Sequence, residues 1–148
     1  MTLIREFKSQ DIDQLIDLIK LNTPKYFDVE EEKDFKLYLL NETEDYFVVE
    51  LEDNIVGCGG INYGFNNGTL ARISWDMIHP DFQGKGIGSL LVSHRLNVIK
   101  SKTEVKTVIV RTTQLVYPFY EKMGFTLKET KKDFWAKGID LYLLEKLN

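Results

Sequence analysis

Three glycines at alternate positions, Gly84, Gly86 and Gly88, form the segment whose chemistry is easiest to infer. Glycine lets the backbone turn sharply and leaves its N–H groups uncovered. An apolar helical pattern follows at once, so these amides are expected at a helix N-terminus, where the helix dipole favours anions. The segment therefore predicts a site for phosphate oxygens.

The spacing of this glycine loop argues against the two commonest nucleotide-binding loops. A P-loop ends in Lys followed by Ser or Thr, whereas Lys85 is followed by Gly86. A dinucleotide-binding fingerprint has its third glycine three residues after the second, within a parallel β-α-β unit. Here that spacing is two residues, and predicted hairpin strands precede the loop. A purely structural turn remains the alternative when the loop is considered alone.

The hydrophobic pattern predicts the elements that position this loop. Alternating or continuously apolar runs predict strands at residues 3–7, 46–52, 55–63, 70–78, 105–111, 125–131 and 139–147. Helical spacing predicts a helix capped by Ser9, one that begins near Asp28, one from the glycine loop to about residue 100, and a short one over residues 119–123. The order β-α-α-β-β-β-α-β-α-β-β predicts an α+β fold, in which helices cover both faces of a mixed, mostly antiparallel twisted sheet. We expect residues 1–148 to form a single domain.

Side chains alternate along the predicted strand at residues 70–78. One face is expected to carry Ile73, Trp75 and Met77, and the opposite, polar face Arg72, Ser74 and Asp76.

Residues 78–88 resemble the acyl-CoA-binding segment of the GNAT superfamily of N-acetyltransferases. The family core, Gln/Arg-x-x-Gly-x-Gly/Ala, falls on Gln83, Gly86 and Gly88. A second family element, aromatic-Tyr-Glu-Lys-x-Gly-Phe, matches residues 119–125. The predicted order of elements is also the family's order. The resemblance covers nearly the whole chain and is weakest in the first 45 residues.

The resemblance implies transfer of an acetyl group from acetyl-CoA directly to a primary amine through a tetrahedral intermediate, without a covalent enzyme intermediate. The predicted strand at residues 70–78 would separate from its neighbour in the sheet, and its free backbone would pair with the pantetheine arm of CoA. A backbone amide of this strand could also stabilise the oxyanion of the tetrahedral intermediate. The loop amides would hold the CoA pyrophosphate. The cofactor-binding residues implied in this way are Met77, Ile78, Gln83, Gly84, Lys85, Gly86, Ile87, Gly88, Ser89 and Thr113. Thr113 stands where the family often has Asn, seven residues before its tyrosine.

The reaction includes two proton transfers, one to the departing thiolate and one from the attacking amine, and each is helped by a residue that gives or takes the proton. Tyr120 occupies the position of the family's general acid, which protonates the departing thiolate; the alternative is a half-buried core tyrosine, and Tyr117 is the substitute acid. An alkylammonium of pKa ~10 is neutral only ~0.1% of the time at pH 7, so a base, or a water chain leading to one, is useful. Asp76 is the candidate to accept this proton or bind the ammonium, and a solvated strand-end aspartate is the alternative.

Two aromatic segments are expected to frame the acceptor amine. Tyr26 and Phe27 lie between the first two predicted helices, and Asp133, Phe134 and Trp135 lie in the last hairpin. Aromatic rings beside a carboxylate suit an amine through cation–π contact, although packing aromatics would give the same pattern. The acceptor stays open between a small-molecule amine and a peptide amine.

Composition limits the other functions. The net charge of −4 argues against a nucleic-acid surface, and no run of ~20 apolar residues is present to span a membrane. Cys58 is the only cysteine, which excludes an internal disulfide and suits the cytoplasm. It lacks a motif-level His partner and is expected to be an inert packing residue. No metal is expected, because His79 and His94 have no partners at ligand spacing.

Some alternatives remain open. A noncatalytic acyl-CoA-binding or sensing domain would keep the loop and lose turnover, although the intact Tyr120 disfavours it. Lys85, Arg95 and Lys122 are candidate contacts to the CoA phosphates. We expect a monomer or a homodimer, and the final strand is a candidate exposed edge that could pair with another subunit.

Overall fold

The computed structural model describes residues 2–148, in which seven strands form one sheet. The strands are β1 (Thr2–Glu6), β2 (Asp45–Leu51), β3 (Asn54–Phe65), β4 (Leu70–Ile78), β5 (Thr107–Thr112), β6 (Thr126–Ala136) and β7 (Ile139–Leu147). The helices are α1 (Ile12–Leu21), α2 (Glu31–Asn41), α3 (Ile87–Lys100) and α4 (Tyr117–Lys122), with 3-10 turns at Ser9–Asp11 and Pro80–Phe82. None of the helices in this part of the chain combines the length and the apolar character that a membrane crossing requires.

The strand order is β1-β2-β3-β4-β5-β7-β6, and every neighbouring pair is antiparallel except β4 and β5. The predicted α+β fold and its order of elements are confirmed. The final strand is not an edge, because β7 lies between β5 and β6. The edges of the sheet are β1 and β6, so the prediction of an exposed final strand is wrong.

Helices cover both faces of the sheet, and each face has its own buried core. On the face that we call the α3 face, α3 and α4 pack against the sheet, with a core that includes Leu91, Val92, Ile99, Val108, Val110 and Leu144. On the opposite face, the α1–α2 face, the core includes Leu15, Ile19, Phe35, Leu39 and Val48. Burial of these side chains stabilises the sheet at about 25 cal/mol per Å² of apolar surface removed from water.

The start of α1 differs from the sequence prediction. Ser9 begins a 3-10 turn instead of capping the helix, and α1 starts at Ile12. The buried Asp11 accepts a hydrogen bond from the Lys8 N–H at 2.8 Å and two from the Arg5 guanidinium at 2.9 Å. These bonds tie the beginning of α1 to the edge strand β1.

A β-bulge interrupts the pairing of β4 with β3. Cys58 pairs with Met77 and Gly60 pairs with Ser74, so β4 contains one residue more than β3 between these two pairs. Trp75 lies at the bulge with a φ of 52°, a left-handed conformation that is rare for a bulky side chain. A bulge of this kind reverses the alternation of side chains beyond it.

The bulge contradicts the predicted faces of β4. Ile73 packs in the core of the α3 face, whereas Trp75 and Met77 pack on the α1–α2 face. Asp76 consequently points to the α3 face, where it contacts Arg95 of α3. The prediction of one shared face for Ile73, Trp75 and Met77 is therefore wrong.

The parallel strands β4 and β5 separate along their length. They pair over residues 70–73 and 107–110, and β4 then continues to Ile78 while β5 continues to Thr112. Beyond Ile73 the backbone edges of the two strands no longer bond to each other. This is the separation that the sequence resemblance implied, and it opens the sheet next to the glycine loop.

Candidate active site

The gap between the ends of β4 and β5 opens into a cleft of about 1180 Å³. Its walls come from β4, the glycine loop, the start of α3, β5, α4 and the connection between α1 and α2. Ten of the twelve predicted site residues line it: Asp76, Met77, Ile78, Gln83, Gly84, Gly86, Gly88, Ser89, Thr113 and Tyr120. Of the other two, Ile87 is buried in the core of the α3 face, and the exposed Lys85 places its Nζ 5.3 Å from the centre of the Phe82 ring.

The glycine loop presents the uncapped N-terminus of α3 to this cleft. Gly84 has a φ of 75° and Gly86 a φ of 84°, which residues other than glycine rarely adopt. Gly86 is the N-cap residue, no side chain caps the helix, and its first turn contains no acidic residue. Apart from its chain neighbours, a Cβ at Gly84 or Gly86 would meet no atom of residues 2–148 within 4 Å. The space outside the loop is therefore open, and the geometry fits a phosphate group bound by the free amides.

The Gln83 side chain ties the glycine loop to the connection between α1 and α2. Its amide Nε2 donates to the Ile78 carbonyl at 3.2 Å and lies 3.4 Å from the Asn22 Oδ1, while the Tyr26 hydroxyl donates to its Oε1 at 3.3 Å. The Ile78 carbonyl is therefore already bonded. One side chain therefore connects the glycine loop to the connection between α1 and α2.

A buried ion-pair network joins β4, α3 and α4 beneath the cleft. The completely buried Arg95 donates to both carboxylate oxygens of Asp76, at 2.5 and 2.6 Å. Its other contacts are to the carbonyls of Gly60, at 3.1 Å, and Leu91, at 3.3 Å. The Tyr120 hydroxyl donates to Oδ2 of Asp76 at 2.5 Å. We call this the Asp76–Arg95–Tyr120 network.

The network determines the charge states of its members. Burial raises the pKa of Tyr120 well above its usual range, and the Asp76 carboxylate raises it further, so the phenol stays protonated. Burial would lower the pKa of Arg95, but its ion pair with Asp76 outweighs burial and leaves that pKa raised. The prediction that Arg95 contacts CoA phosphates is wrong, because its guanidinium is enclosed by protein.

Gly59 of β3 makes room for this ion pair. A Cβ at Gly59 would lie 2.8 Å from both Arg95 Nη1 and Asp76 Oδ1. Atoms at that separation clash, so any larger residue would displace the carboxylate or the guanidinium. Gly59 was not among the predicted site residues, although a glycine in a strand interior signals a close approach of this kind.

Aromatic rings line the side of the cleft that faces α1 and α2. Trp75, displaced onto this side by the bulge, stacks on Phe27 with ring centres 6.1 Å apart and planes at 15°. Across the cleft, the Trp135 Nε1 donates to the Thr112 carbonyl at 3.1 Å, which fastens β6 to the end of β5. Of the predicted acceptor residues, Tyr26, Phe27 and Trp135 line the cleft.

The other two predicted acceptor residues lie elsewhere. The Asp133 carboxylate accepts a hydrogen bond from the Gly138 N–H at 2.7 Å and closes the β6–β7 turn. Phe134 is 41% exposed and packs edge-on against Trp135. Neither side chain lines the cleft.

The model of the acetyltransferase (GNAT) domain matches residues 42–127, which is more than half of the chain. The chain belongs to the GNAT acetyltransferase family. This GNAT chain is 26% identical to an N-alpha-acetyltransferase of Saccharolobus solfataricus, in an alignment that covers 95% of this chain and 90% of that protein.

Solved structures agree with the fold of this GNAT protein. The ribosomal-protein-S18-alanine N-acetyltransferase of Escherichia coli superimposes with a TM-score of 0.82 at 15% identity, over 99% of this chain and 94% of that one. An aminoglycoside 6'-N-acetyltransferase complexed with coenzyme A gives a TM-score of 0.78 at 18% identity, over 98% and 96%.

The remaining candidate residues of this GNAT chain have structural contacts. Thr113 is buried, and its Oγ1 accepts a hydrogen bond from the Leu115 N–H at 3.2 Å. Tyr117 packs against Tyr142 with ring centres 4.5 Å apart and planes at 30°, and it does not line the cleft. Cys58 is fully buried, and burial raises the pKa of its thiol to about 12, which makes the thiolate inaccessible at neutral pH.

Proposed function

We propose that this GNAT chain transfers the acetyl group of acetyl-CoA to a primary amine, with residues 1–148 acting as one acetyltransferase domain. The observation that carries the proposal is the uncapped start of α3, which opens with two positive-φ glycines onto a cleft that reaches Tyr120. A fold relative complexed with coenzyme A supports the choice of ligand. The single cysteine suits a reducing cytoplasm.

The glycine loop and β4 would hold two different parts of the CoA molecule, the pyrophosphate and the pantetheine arm. The amides of residues 83–88 would bind the pyrophosphate, where no side chain competes for them. The edge of β4 beyond Ile73, at Met77 and Ile78, does not pair with β5 and would pair with the amides of the pantetheine arm as a neighbouring strand does, except at the Ile78 carbonyl, which Gln83 already occupies. Bound in this way, acetyl-CoA supplies an activated thioester carbonyl for attack by the amine.

Tyr120 is the proposed general acid for the departing CoA sulfur. A phenol carries its proton at neutral pH, as an acid requires, and Tyr120 lines the cleft from α4. The proton that Tyr120 gives up is replaced by the proton that the amine loses, carried through water in the cleft.

Asp76 is better suited to positioning Tyr120 than to abstracting the amine proton. Both of its oxygens are bonded to the Arg95 guanidinium, and one of them also accepts the Tyr120 hydroxyl. These bonds occupy most of the acceptor positions of the carboxylate and leave it poorly placed to take a proton from an incoming amine. We therefore propose that Asp76 holds the phenol in place until the thiolate forms, when the hydroxyl proton turns from Asp76 to the sulfur, and that Arg95 orients Asp76.

Two tyrosine variants on the same helix test this assignment. Tyr120→Phe removes the proposed acid, and Tyr117→Phe is the matched control outside the cleft. With a panel of amines and acetyl-CoA, followed by release of free thiol, Tyr120→Phe should lower turnover by about 10²–10⁴-fold, the usual contribution of general acid catalysis. Its affinity for acetyl-CoA, measured by calorimetry, should stay within a few-fold of the wild type.

Full activity of Tyr120→Phe from about pH 6 to about pH 9 would place the acid elsewhere. Binding of acetyl-CoA by the wild type without turnover of any amine would favour the noncatalytic acyl-CoA-binding alternative.

A further inference from the structure

Two arginines lie close together on the α1–α2 side of the cleft, beside the point where β4 and β5 separate. They are Arg72 of β4 and Arg111 of β5, and both line the cleft. Their neighbours Ile73 and Val110 pack in the core of the α3 face, so both arginine side chains leave the sheet on the opposite face. Arg72 pairs with Ile109, two residues before Arg111, which makes the two arginines diagonal neighbours.

Each of the two guanidinium groups lies within contact distance of at least one aromatic ring. The central carbon of the Arg72 guanidinium lies 4.3 Å from the centre of the Phe65 ring. That of Arg111 lies 5.3 Å from the centres of both the Phe134 and the Trp135 rings. Aromatic rings at these distances attract a guanidinium without accepting hydrogen bonds from all of its N–H groups, which stay available for a ligand.

The positive charge of this pair is not neutralised. Among residues 2–148 neither arginine takes part in an ion pair. The Nε of Arg72 is buried and lacks a hydrogen-bond partner in the same part of the chain. A buried donor without a partner is unfavourable, and a ligand carrying an acceptor would remove that cost. Burial, together with the charge of Arg111, also lowers the pKa of Arg72.

The glutamates that line the cleft do not neutralise these arginines. Glu31, Glu42 and Glu44 also line the cleft, and among residues 2–148 none of them forms an ion pair with either arginine. Glu44 accepts hydrogen bonds from the Asn62 side-chain amide at 3.2 Å and from the Tyr63 N–H at 3.1 Å. Glu31 accepts from the Asp28 N–H at 3.1 Å.

We propose that Arg72 and Arg111 form an anion subsite for a carboxylate on the acceptor, so that the acetylated substrate is an amine that also carries a carboxylate. This inference rests on the proposed acetyltransferase function. An amino acid and a carboxylate-bearing peptide both have the required chemistry.

The position of the subsite separates it from the CoA phosphates. The phosphate-binding loop follows the end of β4, whereas Arg72 lies near its beginning. Six residues of strand at about 3.3 Å each place Arg72 about 20 Å from Ile78. Asp76 and Tyr120 lie between the two anion sites. A ligand that reaches Arg72 and Arg111 therefore approaches the reacting centre from the side opposite the pyrophosphate.

Binding of a carboxylate can be measured without turnover. In the full chain at constant ionic strength, propionate should shift the Nε–Hε resonance of Arg72 in a nitrogen–proton correlation spectrum, and propionamide of the same shape should not. The resonance is assigned by its loss in Arg72→Lys. Equal shifts with both probes, or no shift with propionate, would overturn the subsite even if the chain proved to be an active acetyltransferase.

Kinetics then connect the subsite to the acceptor. For matched acceptors, such as 4-aminobutyrate and its amide, the carboxylate should be favoured by about tenfold or more in kcat/KM, as expected for a charged hydrogen-bonded group. The Arg72→Gln/Arg111→Gln double variant should bring this ratio to about one. Lys100→Gln is the control, because it removes one positive charge from the exposed end of α3.

Three kinetic outcomes decide against the inference. These are no preference for the carboxylate in the wild type, an unchanged preference in the double variant, and turnover confined to amines without a carboxylate. If the double variant instead weakens acetyl-CoA binding while the acceptor ratio stays the same, the arginines bind a CoA phosphate and the inference is wrong. Failure of the wild type to bind acetyl-CoA at all would count against the proposed function itself, and the spectroscopic test would still decide the subsite.

Discussion

Replacing Asp76 by asparagine should destabilise the protein substantially, because it leaves the Arg95 guanidinium buried without an anion. Arg95 is fully buried, and the Asp76 side chain is 20% exposed. Removal of one member of a buried ion pair costs about 3–5 kcal/mol. Because water partly reaches position 76, we expect the free energy of unfolding to fall by about 3 kcal/mol. For 148 residues the total stability is roughly 7–22 kcal/mol, so the variant should still fold.

A double-mutant cycle separates loss of the ion pair from a general loss of packing. Arg95→Met removes the buried cation and leaves a carboxylate that water can reach, so it should cost less than Asp76→Asn. In the double variant no unpaired charge is buried, and it should recover about 2 kcal/mol relative to the sum of the single variants.

The free energies of unfolding are obtained from guanidinium or urea denaturation by linear extrapolation. The reasoning is refuted if Asp76→Asn lies within about 0.5 kcal/mol of the wild type, the range of an ordinary surface substitution. It is refuted equally if the effects of the two single variants simply add, since a direct ion pair must couple them.

Three further predictions concern other parts of the molecule. Gly86→Val should abolish acetyl-CoA binding measured by calorimetry, because the valine side chain would occupy the open space at the start of α3. Gly64→Val, at an equally open glycine with a φ of 87°, is the control. Unchanged affinity in Gly86→Val would contradict the phosphate site. Cys58, whose thiol pKa is raised by burial to about 12, should resist alkylation in the folded protein and react at once in denaturant, so rapid labelling under native conditions would show that the core opens there. The hydrogen bonds from Arg5 lower the pKa of Asp11, so its ionised form contributes stability above the ordinary aspartate pKa of about 3.9, and this contribution disappears as the pH falls through the lowered value. Asp11→Asn should therefore destabilise the protein at neutral pH and lose its effect in acid, and a loss of stability that does not vary with pH would contradict the ion pair.

The positions of the elements around the cleft could be predicted from the sequence because local patterns determine them. β4 and β7 occupy residues 70–78 and 139–147 as predicted, since each run of alternating residues is bounded by turn-forming residues. The loop before α3 could be placed because its glycines readily adopt backbone conformations that other residues rarely adopt.

The direction of Asp76 could not be predicted, because the bulge at Trp75 depends on how β3 and β4 pair. A bulge adds one residue to one strand and leaves no consistent mark in the sequence of that strand. Arg95 did leave a signal. It is four residues from both Leu91 and Ile99, which are buried on α3, so helical spacing alone places its charge in the core. A charge there requires a buried acidic partner, and Asp76 provides it.

The aromatic lining of the cleft has a practical consequence for measurement. The chain contains two tryptophans, Trp75 and Trp135, and both line the cleft, on different walls. Intrinsic tryptophan fluorescence of the unlabelled protein, excited selectively over tyrosine, therefore originates only at the two walls of the cleft. Because Trp75 stacks on Phe27 and Trp135 lies against Arg111, the two single-tryptophan variants would report on the walls separately. Stopped-flow emission from such a pair would time the arrival of each substrate at its own wall of the cleft.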